Sequence, residues 1–96
     1  MTAPPLEKTI VATITKQLRA RGVWVLKTVG GHGRTGLPDL LLCFDGRFVA
    51  IEVKRPGAKV TARQDAELRK IRQAGGLAAV VTSWEDVMQI LGLTND

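Results

Sequence analysis

The feature that most constrains this chain is the stretch from Leu40 to Lys54, where an apolar run, Leu40 to Phe44, meets a second run, Arg47 to Lys54, across Asp45-Gly46. Asp-Gly between two strand-like segments is a strong hairpin signal, because both residues tolerate the positive φ that a two-residue turn requires. In the second run the side chains alternate: Val49, Ile51 and Val53 fall on one face, Ala50, Glu52 and Lys54 on the other. The apolar set accounts for packing. A carboxylate beside an ammonium on the other set does not, because burying ions costs desolvation energy and improves no contact. Asp39 stands at the start of the partner strand, just after Pro38, so the hairpin is expected to gather Asp39, Glu52 and Lys54 at one end of a sheet.

Elements on either side of the hairpin follow from periodicity and punctuation. Pro4 and Pro5 can open a helix at its first turn, and Leu6, Ile10, Val11, Ile14 and Leu18 then repeat at helical spacing as far as Arg21. Gly22 stops that helix, and Val23 to Val29, rich in β-branched residues, reads as a strand. Thr28 to Gly36 is too glycine-rich for either element and reads as a loop. After Pro56-Gly57, Thr61 with Gln64 three residues on forms a capping box for a helix lasting to about Ala74, which Gly75-Gly76 ends. Leu77 to Val81 reads as a buried strand, and Ser83 caps a last helix whose Trp84, Val87, Met88 and Leu91 share a face before Gly92. The expected order is αβββαβα: an α/β fold with a mixed central sheet flanked by helices, as one domain over residues 1–96, with the order of strands left open.

Composition narrows the class. A chain of 96 residues has room for one core, and 45% hydrophobic with 24% charged residues describes a globular protein, not a disordered one. No segment approaches the ~20 apolar residues of a membrane span, and the start lacks a basic-then-apolar leader. The single Cys43 excludes an intramolecular disulfide; its apolar neighbours predict a small buried hydrophobe, and a reducing cytoplasm is the expected location. Residues 1–72 hold all 14 Lys and Arg but only six of the nine Asp and Glu, a net +8 in a chain of net +5. Such a basic body suits a polyanionic partner.

Two carboxylates and a lysine suit phosphodiester hydrolysis. Hard oxygen ligands hold Mg²⁺ or Mn²⁺, which polarises a phosphoryl oxygen and acidifies water, while Lys54 can position or deprotonate that water or offset charge on phosphorus. Glu7 adds a carboxylate within the apolar arc of the first helix, either complementing the helix dipole or pointing across the sheet end to the same metal.

These residues resemble a known family. Gly36-Leu-Pro-Asp39, Ile51-Glu-Val-Lys54-Arg-Pro-Gly57 and Gln64 are similar to the PD-(D/E)XK nucleases and, within them, to the VRR-NUC group of virus-type replication and repair nucleases, over about Glu7 to Val81. The resemblance implies a restriction-endonuclease-like αβββαβ(α) core, metal ligation by Glu7, Asp39, Glu52 and the Val53 carbonyl, catalysis by Lys54 and support from Gln64. It also implies a homodimer, and the last strand and helix, with Trp84, Met88, Ile90 and Leu91, offer more hydrophobic surface than one sheet face requires, some of it expected to be an interface. The function the resemblance implies is a metal-dependent DNA endonuclease acting on branched or junction DNA in viral or bacterial replication or repair, in the cytoplasm of a bacterial cell or a virus-infected host.

Other residues carry two readings each. Gln64 is accounted for by its capping box as well as by catalytic support. His32 reads as an exposed loop residue; Arg34, in the same glycine loop, either closes on a phosphate or is simply solvated. Arg55, Lys59 and Arg63 are expected to follow the DNA backbone, since positive charge at a helix start opposes the dipole and calls for another reason. Arg69, Lys70 and Arg72 read as plain surface. Trp24 and Trp84 are expected in the core, which leaves no aromatic platform for single strands. The competing functions are an inactive DNA-binding or assembly module, a Holliday-junction resolvase of archaeal type, and a hydrolase of small phosphate esters.

Overall fold

The structure is a computed structural model, and it describes residues 3–29 and 36–94. Seven elements follow the expected order: α1 (Glu7–Ala20), β1 (Trp24–Lys27), β2 (Leu40–Phe44), β3 (Arg47–Val53), α2 (Ala62–Gln73), β4 (Leu77–Val81) and α3 (Trp84–Leu91). The first strand is shorter than Val23 to Val29, because its pairing with β2 ends at Lys27 opposite Leu40.

The strands lie in the order β1-β2-β3-β4. The β2–β3 hairpin turns on Asp45 and Gly46 at φ 52° and 75°, the positive pair that a type I′ turn needs. It sets Leu40 opposite Ile51 and Leu42 opposite Val49. β4 joins β3 in parallel, Val49 beside Leu77 and Val53 beside Val81, so the sheet is mixed. The crossover between them contains α2, whose capping box is complete: the Gln64 N–H donates to Thr61 Oγ1 and the Thr61 N–H to Gln64 Oε1. α3 is capped by the Ser83 hydroxyl, which accepts from Asp86, and stops at Gly92 in the left-handed conformation.

The two faces of the sheet are covered unequally. On one, Ile10, Val11, Ile14 and Leu18 of α1 and Val87 of α3 pack on Leu40, Leu42, Val49, Ile51, Val53 and Val81. On the other, Leu68 of α2, with Ile71 beside it, packs on Ala50 and Ala78. A helix is about 10–12 Å across and strands lie about 4.8 Å apart, so two helices roof four strands and one helix roofs about two. What that helix leaves uncovered is Trp24 and Leu26 on β1, Cys43 on β2 and Phe48 at the start of β3, with Val80 exposed on β4.

Three expectations change as a result. Trp24 is not in the core: Val25 takes the inward place on β1, and Trp24, 59% exposed, faces the side that α2 does not reach. Cys43, paired with Trp24 across the strands, is exposed for the same reason. The last helix offers no surplus apolar face either, since Val87 and Met88 are buried and Trp84, Ile90 and Leu91 pack against the core. Trp84 also carries the Arg21 guanidinium 4.9 Å above its ring. Among the described residues no helix is long and apolar enough to cross a membrane.

Candidate active site

Register places the carboxylates. Leu40 pairs with Ile51, so Asp39, one residue before β2, comes alongside Glu52 at the end of the hairpin. Its backbone is clamped from β1: the Thr28 N–H donates to the Asp39 carbonyl at 2.9 Å, and the Thr28 hydroxyl to the carbonyls of Pro38 at 2.7 Å and Asp39 at 3.2 Å. The Asp39 side chain is held from β3, where the Val53 N–H donates to Oδ2 at 2.7 Å. Thr28 was not singled out in the sequence. The only trace it leaves there is a hydroxyl at the end of a strand facing the loop to Pro38.

Glu52 is 2% exposed. Burial, the charge of Asp39 and a hydrogen bond between the two carboxyls push its pKa up to about 8, against a partial offset from Lys54; Glu7 adds to the rise. The protein thus holds a proton between two carboxyl groups that share one face of the sheet. Lys54, also buried, lies with Nζ 3.8 Å from Glu52 Oε2, too long for a hydrogen bond but close enough to feel the charge. No buried side-chain nitrogen or oxygen among the described residues lacks a partner.

Of the other expected site residues, Glu7 lies at the first turn of α1 and within electrostatic reach of Glu52. It does not join the pair in a tight cluster, since among the described residues no three Asp, Glu, His or Cys side chains are grouped to hold an ion. Gln64 spends its carbonyl oxygen on the capping box. The Arg55 guanidinium donates to the Pro4 carbonyl at 3.1 Å, tying the segment before α1 to the end of β3. Lys59 and Arg63 are exposed at the start of α2. Gly36 sits against Arg63 with φ +81°, and a Cβ there would come within 2.8 Å of Arg63 Cγ, so only glycine fits this approach between the glycine loop and α2. His32 and Arg34 lie outside the described residues.

The donor chemistry fits a hard divalent cation. Two carboxylates that repel one another, and share a proton without an ion, are the groups that such an ion neutralises together.

Comparisons with known proteins agree with the fold. A family model described as "VRR-NUC domain" matches residues 5–85. A solved structure titled "VRR_NUC domain" is 28% identical, superposes with a TM-score of 0.76, and is matched over 90% of this chain and 94% of its own. A second, titled "VRR_NUC domain protein", is 15% identical with a TM-score of 0.78 over 94% of this chain and 88% of its own, and shares the fold. No curated protein matches the chain.

Proposed function

Because this chain belongs to the VRR-NUC domain family, and so has a nuclease-like fold, we propose that it is a DNA endonuclease that hydrolyses phosphodiester bonds with Mg²⁺ or Mn²⁺. The observation that carries this reading is the meeting of the Asp39 and Glu52 carboxyls with Lys54 beside them, buried at one end of the sheet. Asp39, Glu52 and the Val53 carbonyl would hold the metal, and Glu7, within electrostatic reach of Glu52, would be the further carboxylate. The ion supplies Lewis-acid charge at the phosphoryl group. Asp39 keeps its orientation through the Val53 N–H, which occupies Oδ2 and leaves Oδ1 for ligation. Lys54 holds its ammonium beside the scissile phosphate, where it offsets the charge that builds on the non-bridging oxygens and orients the attacking water. Gln64 supports the site with its amide nitrogen, its oxygen being engaged in the cap. Arg34, Arg55, Lys59 and Arg63 follow the DNA backbone.

Branched or junction DNA is the substrate we favour, cut by a homodimer with one site for each strand. The support is one Asp39–Glu52–Lys54 constellation per chain, not an apolar face on α3. The test is a panel of labelled duplexes, single strands, flaps and four-way junctions, incubated with Mg²⁺ or Mn²⁺ or with chelator. Metal-dependent cutting is expected, fastest on branched forms. Lys54→Ala should slow it by on the order of 10²- to 10⁴-fold while calorimetry still shows Mn²⁺ binding, whereas Asp39→Ala should lose both. Cutting by Lys54→Ala at the wild-type rate sinks the assignment, and a monomer mass in light scattering with paired cuts retained sinks the dimer.

A further inference from the structure

The uncovered share of the α2 face carries a feature that hydrolysis does not use. Trp24 pairs with Cys43, and Cys43 with Phe48, so the three side chains form one row across β1, β2 and β3. Leu26, Leu41 and Ala50 form the next row toward the site. Trp24 is 59% exposed, Leu26 48% and Phe48 47%. Asp39 and Glu52 stand on this same face, with Glu52 four residues beyond Phe48, about 13 Å along the strand.

We infer that Trp24 and Phe48 are a stacking platform for unpaired bases of the DNA strand that leads to the active site. This rests on the proposed nuclease reading and deepens it. The strands that carry them lie about 10 Å apart, two strand spacings, with the small Cys43 on the strand between, and the Phe48 ring lies against Gly76. Aromatic side chains on a sheet face take the flat surfaces of bases regardless of sequence. A blunt duplex keeps those surfaces stacked inside its helix; a flap, a gap or a junction arm presents them. The wall beside the platform is α2. Arg63, whose Cγ lies against Gly36, and Lys70, two turns on along the same helix face and 3.6 Å from Glu67 between them, leave that wall a net positive charge toward a strand's phosphates. A second copy docked on this patch by two-fold symmetry brings the same cations with it, whereas single-stranded DNA brings the complementary charge.

Cys43, the one cysteine of the chain, reports on the platform directly. With the full chain in chelator, so that nothing is cut, alkylation of Cys43 by N-ethylmaleimide is followed by mass spectrometry. Oligo(dT) should slow the reaction severalfold, and a blunt duplex of equal length should not. Trp24→Ala should weaken oligo(dT) binding by roughly 5- to 100-fold, with Trp24→Phe restoring most of it. Equal protection by the duplex, no binding of oligo(dT), or protection that grows with protein concentration in the absence of DNA, the mark of a second copy, would each overturn the inference. Since no cleavage is read, these outcomes stand apart from any failure to find a nuclease.

Discussion

On the α1 and α3 side of the sheet two helices close over β2, β3 and β4 with buried side chains that are all aliphatic, and half-buried Val25, Phe44 and Trp84 pack at the margin. On the α2 side a single helix packs on Ala50, Ala78 and Leu41 and leaves Trp24 and Phe48 exposed at one end of the strands, with two carboxyls sharing a proton at the other. Both faces are made by the same four strands, and often by adjacent residues: Val49, Ile51 and Val53 serve the first, Ala50, Glu52 and Lys54 the second. The first face holds the chain together. The second gives up some of that stability, since Glu52 and Lys54 are buried where an apolar residue would cost less.

The contrast is sharpest for truncations. Leu42→Ala, at a site 1% exposed under α1, should lower the unfolding free energy by about 2–5 kcal/mol. Trp24→Ala, a larger deletion on the open face, should change it by less than about 1 kcal/mol. Denaturant melts of the two variants measure this, and a Trp24→Ala loss equal to that of Leu42→Ala would show that the open face is part of the core after all.

A pH series reads the cost on the second face. The folded Glu52 has a pKa of about 8 against the ordinary 4.5, so between those values the folded chain binds a proton that the unfolded chain has released. Stability then falls as pH rises across that window, by at most about 1.4 kcal/mol per pH unit. Without metal the melting temperature should drop from about pH 5 to pH 8; Mn²⁺ should lessen the drop and Glu52→Gln should flatten it. A melting temperature that rises with pH over this range would reverse the reading. The smallest effect belongs to the cap of α2, where Thr61→Ala should cost about 1 kcal/mol. Its size tests whether the one helix on the open side is anchored by its own cap as well as by Leu68.

What was legible in the sequence was local. Asp45-Gly46 declared the hairpin, its register put Asp39 beside Glu52, and the Thr61 capping box set the start of α2, all within spans of a few residues. Trp24 was misread because Trp24, Val25 and Leu26 are apolar on both faces, and only the width of one helix over four strands decides which side stays open. Cys43 follows from the same geometry. The clamp from Thr28 was invisible because it spans the glycine loop, and the strand order because β4 returns to β3 across α2.

That return has a consequence for how the molecule assembles. β2 and β3 need only a two-residue turn to meet, while β4 reaches β3 after residues 54–76 have been threaded past the sheet. Closing the short loop costs little chain entropy and closing the long one more, so the hairpin carrying Asp39 and Glu52 forms ahead of the parallel pairing. In that half-built sheet the two carboxylates are still hydrated and repel weakly. As the remaining elements dock and water leaves, Glu52 takes up a proton rather than face Asp39 as a second bare charge, so proton uptake by the site falls on the last step of folding, after its geometry has been set.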